Sequence, residues 1–364
     1  MKKVMLVIGT RPEAIKMCPL VIELRKRKSM QVILCVTGQH REMLDMVLNA
    51  FDIVPDYDLN IMRKSQTLFD ITQGILEGIK PILEKERPDL VLVHGDTTTS
   101  YAAALAGFYL NIKVGHVEAG LRTNDLTSPF PEEFNRQSVD LVSEYLFAPT
   151  EKARQNLLWE HKKKEQIFVT GNTVIDALKT TISPSYTHPE LEWSKDSRLI
   201  LLTAHRRENR GENMRNIFQA ISRITTEYED VKVLYPVHLN PEIVSLANAF
   251  FKDNSRIHIV KPLEVIDFHN IMAASHIIVT DSGGIQEEAP ALGIPVLVTR
   301  TTTERQEGVE AGTLKLVGVE EESIYVEIKL LLDSPDDYTK MSEAVNPYGD
   351  GFASRRIADV IEQL

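Results

Sequence analysis

Two acidic side chains follow short apolar runs, in His94-Gly95-Asp96-Thr97-Thr98-Thr99 and Gly115-His116-Val117-Glu118-Ala119-Gly120. Carboxylates held at the edge of buried structure can take up and return protons, and several together can do so on more than one face of a bound molecule. Asp96 precedes a helical stretch, where capping is the ordinary explanation. Glu118 sits against glycine and alanine and has no such explanation. A third acid group, Pro131-Glu132-Glu133, opens another helix, where a first-turn acid also suits the helix dipole. One acid at such a place is usually structural; two with a third nearby favour acid–base work.

Cationic and glycine-bearing turns accompany the acids. Gly9-Thr10-Arg11-Pro12-Glu13 leads into a helix with Lys16 one turn along, a pattern suited to an anion on exposed amides, although an ordinary turn flanked by surface Arg11 and Lys16 would read the same. Thr203-Ala204-His205-Arg206-Arg207 combines a histidine with two arginines, which suits a phosphate or a leaving group. The strongest local signal is Thr280-Asp281-Ser282-Gly283-Gly284-Ile285, followed by Gln286-Glu287-Glu288. Ser282-Gly283-Gly284 at a helix start lets a diphosphate approach the backbone closely, and Glu288 could reach ribose hydroxyls.

These segments need strands to end them and helices to follow. Val4–Ile8, Val32–Val36, Leu90–Val93, Val114–Val117 and Ile167–Val169 read as buried strands, separated by helical stripes at Glu13–Arg27, Arg41–Phe51 and Leu68–Lys85. The rhythm resumes with strands at Leu199–Leu202, Val231–Tyr235, Ile257–Val260, Ile277–Val279 and Val296–Val298, and helices at Met214–Tyr228, Glu242–Phe251, Phe268–Ala274 and Ile285–Leu292. The expected class is α/β, two Rossmann-like doubly wound domains facing a cleft. The boundaries expected are an N-terminal domain over 1–183 carrying the acids, a proline- and charge-rich linker over 184–198, a second domain over 199–345, and a turn and helix over 346–364 that packs back on the first domain.

At 364 residues, 43% hydrophobic and 26% charged, the chain holds enough apolar material for two cores. A net charge of −11 argues against nucleic acid or an anionic membrane as the main partner. The two cysteines, Cys18 and Cys35, lie among apolar residues and read as small buried side chains of a reducing compartment. The apolar run near Met1 is too short for a signal core, and no stretch is long and apolar enough to span a bilayer, so a cytoplasmic protein is expected. With no GxGxxG after the first strand, no GxxxxGK[ST] and no paired Cys/His spacing, a nicotinamide cofactor, ATP hydrolysis and structural zinc are disfavoured; carboxylates alone leave magnesium open.

Assembled in order, the segments GTRPEAIKM, QHREMLD, HGDTTT, VGHVEAGLRT, SPFPEE, GNTVIDAL, HRREN, YPVHLNP, TDSGGIQEEAP, TTER and NPYGDG resemble the bacterial non-hydrolysing UDP-N-acetylglucosamine 2-epimerases nearly end to end. The resemblance implies the GT-B architecture, no cofactor and no obligatory metal, a homodimer, and production of UDP-N-acetylmannosamine for surface polysaccharide. By position it implies Asp96, Glu118, Glu132 and His205 as the catalytic group. Arg11, Lys16 and Arg305 would lie near the phosphates, Ser282, Gly283, Gly284 and Glu288 would hold UDP, and Phe268 would contact the nucleotide. A second UDP-N-acetylglucosamine, acting as regulator, would meet Gln39, His40, Gln66, Glu132 and Arg206. Gln306, Thr301, Thr127 and Gly38 depart from the usual residues beside these motifs while leaving the acids intact. A glycosyltransferase of the same fold, a hydrolysing epimerase and a non-catalytic nucleotide-sugar sensor stay open at this point.

Overall fold

A computed structural model describes residues 1–38, 41–63 and 65–364, with the backbone alone at 41–43 and 207. The chain divides into two compact units, Met1–Thr180 with Tyr348–Leu364, and Thr181–Pro347.

In the first unit, strands β1 (Lys2–Ile8), β2 (Met30–Val36), β3 (Tyr57–Asp58), β4 (Leu90–His94), β5 (Lys113–Val117), β6 (Tyr145–Ala148) and β7 (Ile167–Val169) alternate with helices α1 (Arg11–Arg25), α2 (Arg41–Ala50), α3 (Leu68–Glu86), α4 (Thr98–Tyr109), α5 (Glu132–Val142), α6 (Glu151–Trp159) and α7 (Thr173–Thr181). All strand pairs are parallel, in the order β3-β2-β1-β4-β5-β6-β7. The order reverses between β1 and β4, which opens the carboxyl edge of the sheet there. Register sets His94 opposite Val117, so Asp96 and Glu118 leave neighbouring strands a residue or two beyond the last pair. Met5, Val7, Val91 and Val93 are fully buried with Ile79, Leu83 and Ala103, as strands covered on both faces require.

In the second unit, α8 (Pro189–Trp193) precedes β8 (Arg198–Thr203), α9 (Glu212–Glu227), β9 (Val231–Pro236), α10 (Pro241–Phe251), β10 (Ile257–Val260), α11 (Val265–Ala273), β11 (Ile277–Thr280), α12 (Ile285–Glu288), β12 (Val296–Val298), α13 (Gln306–Ala311), β13 (Leu314–Leu316), α14 (Glu321–Asp333) and α15 (Pro335–Ser342). This sheet is also parallel, β10-β9-β8-β11-β12-β13, and reverses between β8 and β11. The core packs Phe218, Tyr235 and Phe251 around Ile200, Leu202 and Val233. The α/β class with two Rossmann-like doubly wound sheets is thus the one adopted.

Residues 184–198 fall within the second unit. His188 caps α8 by accepting from the Glu190 amide, and Trp193 stacks on His258 with ring centres 3.6 Å apart, so this proline- and charge-rich stretch is packed. The helix expected over 285–292 is one α-turn, Ile285–Glu288, followed by a 3-10 turn, Ala289–Leu292, because Pro290 supplies no amide. No helix among the described residues is long and apolar enough to cross a membrane.

Candidate functional site

The first unit places its acids at the reversed edge of its sheet. Glu118 follows β5 in the left-handed region, φ 70°, a conformation costly for a side chain bearing a Cβ and held only where neighbours fix it. Those neighbours are identifiable. Lys16 on α1 pairs with Glu118 Oε2, Asn172 Nδ2 donates to the same oxygen at 2.8 Å, and His94 Nε2 lies 3.7 Å from it. His94 is buried, and burial pushes its pKa down to about 3, opposed by the Glu118 charge; the ring is neutral at physiological pH.

Beneath Glu118 runs a buried polar chain. His116 sits between the Asp140 carboxylate, 2.6 Å from Nδ1, and the Gly95 carbonyl, 2.7 Å from Nε2. Asp140 also accepts from Gly120 N at 3.2 Å and Arg122 Nη2 at 2.7 Å. Burial alone would raise the Asp140 pKa, but His116 and Arg122 hold it below the usual carboxylate range. The chain therefore ties the turn after β4 to the turn after β5.

Asp96 is not a cap. Thr97 caps α4 by accepting from Ser100 N, which leaves the Asp96 carboxylate to pair with Arg136 on α5, while its carbonyl accepts from Asn135 at 2.9 Å. Glu132 opens α5 half-buried; its neighbour Glu133 is fully buried and accepts from the amides of Thr123 and Asn124 at 3.0 and 3.1 Å, so Glu133 is the structural member of the pair. Arg11 is half-buried at the first position of α1. Glu13, for which no role follows from the sequence alone, is buried and accepts from Gly9 N, Thr10 N, Thr97 Oγ1 and Ser100 Oγ at 3.1, 2.8, 2.8 and 3.0 Å. Burial raises its pKa. The Thr10-x-x-Glu13 spacing of a capping box is its sequence signal, but its hold on the turn after β4 is not legible there.

In the second unit Asp281, fully buried after β11, accepts from the amides of His205 and Arg206, both at 2.9 Å, and from Asn209 Nδ2 at 3.0 Å. It thereby locks the turn after β8 against the turn after β11, the two strands that flank the reversal. His205 Nδ1 lies 3.3 Å from Asp281 Oδ1, and the ring is parallel to His238, 6.1 Å away. Neither Gly283 nor Gly284 has positive φ, so their value is closeness of approach. A Cβ on Gly283 would stand 3.3 Å from the Arg305 guanidinium and 3.6 Å from that of Arg206, and one on Gly284 would stand 3.4 Å from Glu288 Oε1. Two guanidiniums thus flank bare backbone beside Ser282, a corner suited to phosphate oxygens. Arg305 is braced by Glu287 at 2.8 Å, and Glu304, whose pKa burial would raise, is held down at about 2 by Arg300 and Arg305. His269 Nε2 lies 3.6 Å from Glu288, and the preceding Phe268 is half-buried on α11.

Of the positions expected to bind a regulator, Gln66 binds its own loop, donating to the Ile61 carbonyl at 3.3 Å and accepting from Arg63 N at 3.0 Å. Arg206 lies at the Gly283 corner, 3.9 Å from Glu304, and Gln39 and His40 lie outside the described residues.

Acids clustered at one doubly wound sheet's open edge, and a glycine–arginine corner at another's, define an α/β enzyme of two Rossmann-like units. The profile of UDP-N-acetylglucosamine 2-epimerases matches residues 22–362. The Bacillus subtilis UDP-N-acetylglucosamine 2-epimerase is 60% identical over 357 residues, covering 98% of this chain and 94% of that protein. S. aureus MnaA, solved with UDP, superposes with a TM-score of 0.91 at 49% identity over 100% of this chain and 96% of that one. The Neisseria meningitidis UDP-GlcNAc 2-epimerase, solved bound to UDP-GlcNAc, superposes with a TM-score of 0.89 at 47% identity over the whole of both chains. The chain belongs to the UDP-N-acetylglucosamine 2-epimerase family, and is an isomerase.

Proposed function

We propose that the protein interconverts UDP-N-acetylglucosamine and UDP-N-acetylmannosamine without hydrolysis, through a glycal. The observation that carries this reading is Glu118, fixed at φ 70° with Lys16, Asn172 and His94 around its carboxylate. Abstracting the carbon-2 hydrogen alone would leave a poorly stabilised carbanion. If the bond from carbon 1 to the UDP oxygen breaks as the proton leaves, the electron pair of the C–H bond forms the C1=C2 double bond and UDP departs as an anion. The return adds a proton to the opposite face of carbon 2 while the UDP oxygen re-bonds to carbon 1, so atoms and charge balance without an oxidant. Asp96, Glu118 and Glu132 handle the protons. Arg206, Arg305, His205 and the Ser282–Gly284 backbone hold the departed UDP, with Arg11 as a further cation for its phosphates and Glu288 and Phe268 meeting its ribose and base.

The same reading makes UDP-N-acetylglucosamine an activator as well as a substrate, with Gln39, His40, Gln66, Glu132 and Arg206 as its contacts, and makes the protein a cytoplasmic homodimer serving surface polysaccharide synthesis. Phe69, Phe108, Tyr109, Phe134 and Leu141 are exposed on the adjoining helices α3, α4 and α5 and support self-association. Incubation with UDP-N-acetylglucosamine alone in deuterated water is the test. The expected product is UDP-N-acetylmannosamine with deuterium at carbon 2. Free N-acetylmannosamine, no reaction without an acceptor, or an epimer without deuterium would each replace this reading with another.

A further inference from the structure

Two sequence segments supply no group that moves a proton or holds UDP in the reaction just described: Gly171–Leu178, GNTVIDAL, and Asn346–Gly351, NPYGDG. Within the first unit the structure brings Tyr348–Gly351 against the first of them. Gly171 and Gly349, at φ 88° and 130°, lie back to back, and a Cβ on either would be 3.3 Å from the other's Cα. That closeness lets Asn172 N donate to the Tyr348 carbonyl at 2.7 Å. Lys179 donates to the Gly351 carbonyl at 2.7 Å, and Asp176 accepts from the amides of Ala353 and Ser354 at 3.1 and 2.8 Å, where the C-terminal helix Ala353–Gln363 begins. The returning chain therefore clamps the start of α7.

What the clamp holds is Asn172, whose side chain is buried. Its Oδ1 accepts from Val174 N at 3.1 Å, which fixes which end of the amide is oxygen. The NH2 end is thereby turned to Glu118 Oε2, at 2.8 Å. An amide pinned at its backbone and its oxygen has no rotamer freedom left to lose when it donates to a carboxylate. It directs that carboxylate and favours its ionised form. Asp140 and His116 hold Gly120 and Gly95, in the turns beside Glu118, while Asn172 holds the carboxylate itself.

We propose that Asn172, clamped by the C-terminal segment at Tyr348, is a positioning residue that sets the direction and charge state of the Glu118 carboxylate during proton transfer at carbon 2. The inference rests on the epimerase reading above. Asn172→Ser tests it, since serine keeps an acceptor for Val174 N but cannot reach Glu118. Asn172→Asp keeps the same acceptor and sets a carboxylate against Glu118. Around Glu118, Lys16 from α1 and His94 from β4 face the carboxylate, and His94 stays neutral above about pH 3, so the acid limb of the rate profile reports carboxylates and not this imidazole. A shift of that limb on changing Asn172 alone is assigned to Glu118, the carboxylate Asn172 contacts.

Turnover, KM, UDP binding and melting temperature are measured for both variants beside the wild type. Asn172→Ser is expected to lose roughly 10- to 100-fold in kcat, the scale of a displaced catalytic group, with KM and UDP binding within about twofold. The acid limb of log kcat should move to higher pH, and Asn172→Asp should be slower still. Either variant turning over within twofold of wild type overturns the proposal. So does a kcat loss with an unmoved acid limb, or one matched by equal losses in melting temperature and UDP binding. A wild type that does not epimerise retires the reaction, not this assignment alone.

Discussion

At Glu118 the backbone conformation and the side-chain partners point to one task. A left-handed φ at a glutamate is sustained against a cost of order 1–3 kcal/mol, and here the ion pair to Lys16 and the amide of Asn172 supply the restraint. Glu118→Gln keeps the shape but removes the carboxylate, and on the proposed role turnover is expected to fall about 100-fold or more. A folded Glu118→Gln protein with near-normal turnover would remove the residue from the catalytic group. His94 gives a second expectation, on stability. Its folded pKa, about 3, lies below its ordinary 6.5, so the native state binds fewer protons than the unfolded chain between those values. Stability is then intact above pH 6.5 and declines as pH falls toward 3, by about 1.4 kcal/mol per pH unit for one proton. Unfolding free energies of wild type and His94→Gln, measured by denaturant from pH 7 to pH 4.5, should converge as pH falls. Parallel curves would mean that His94 is not held neutral.

The strands and helices explain how such residues are kept in place. Asp140 on α5 has His116, Gly120 and Arg122 around a fully buried carboxylate, whereas Glu160, at the far end of the same chain, has a side chain 38% exposed. Removing the charge at the buried end leaves its partners uncompensated, so Asp140→Asn is expected to cost about 3 kcal/mol or more. Glu160→Gln, screened by water, should cost less than about 1 kcal/mol. Denaturant unfolding of the two variants separates these outcomes, and equal costs would dissolve the argument from burial. Much of this scale is legible in the sequence. Continuous apolar runs such as Val4–Ile8 and Val231–Tyr235 mark buried parallel strands, and the acids at their ends follow from the open edge of such sheets. β3, only two residues long, carries no period, and β6 and β13 are not among the strands the sequence reading identifies. The alanine-rich α4 is apolar all round and shows no stripe. The roles of Glu13, Asp140, Asn172 and Asp281 are illegible for another reason: the contacts that define them join turns distant in sequence, and spacing records only neighbours along the chain.

At the scale of the molecule, the chemistry is divided. The carboxylates Asp96, Glu118 and Glu132 belong to one unit, and Ser282, Gly283, Gly284, Arg206 and Arg305 to the other. In the proposed reaction UDP leaves carbon 1 as carbon 2 loses its proton, and on that proposal both sets would act on one ligand. A glycal released to water would be lost, which favours a liganded state that excludes solvent until the proton returns. If, as proposed, one ligand engages residues of both units, it shifts the population toward whichever state binds it more tightly. Solution scattering is therefore expected to show a smaller radius of gyration with UDP-N-acetylglucosamine than without. If a second molecule of the same compound stabilises that state, rate against substrate should be sigmoidal. The reverse reaction from pure UDP-N-acetylmannosamine should then stay slow until a little UDP-N-acetylglucosamine is added. Hyperbolic kinetics in both directions with an unchanged radius would leave the proton transfer standing and exclude activation by the substrate.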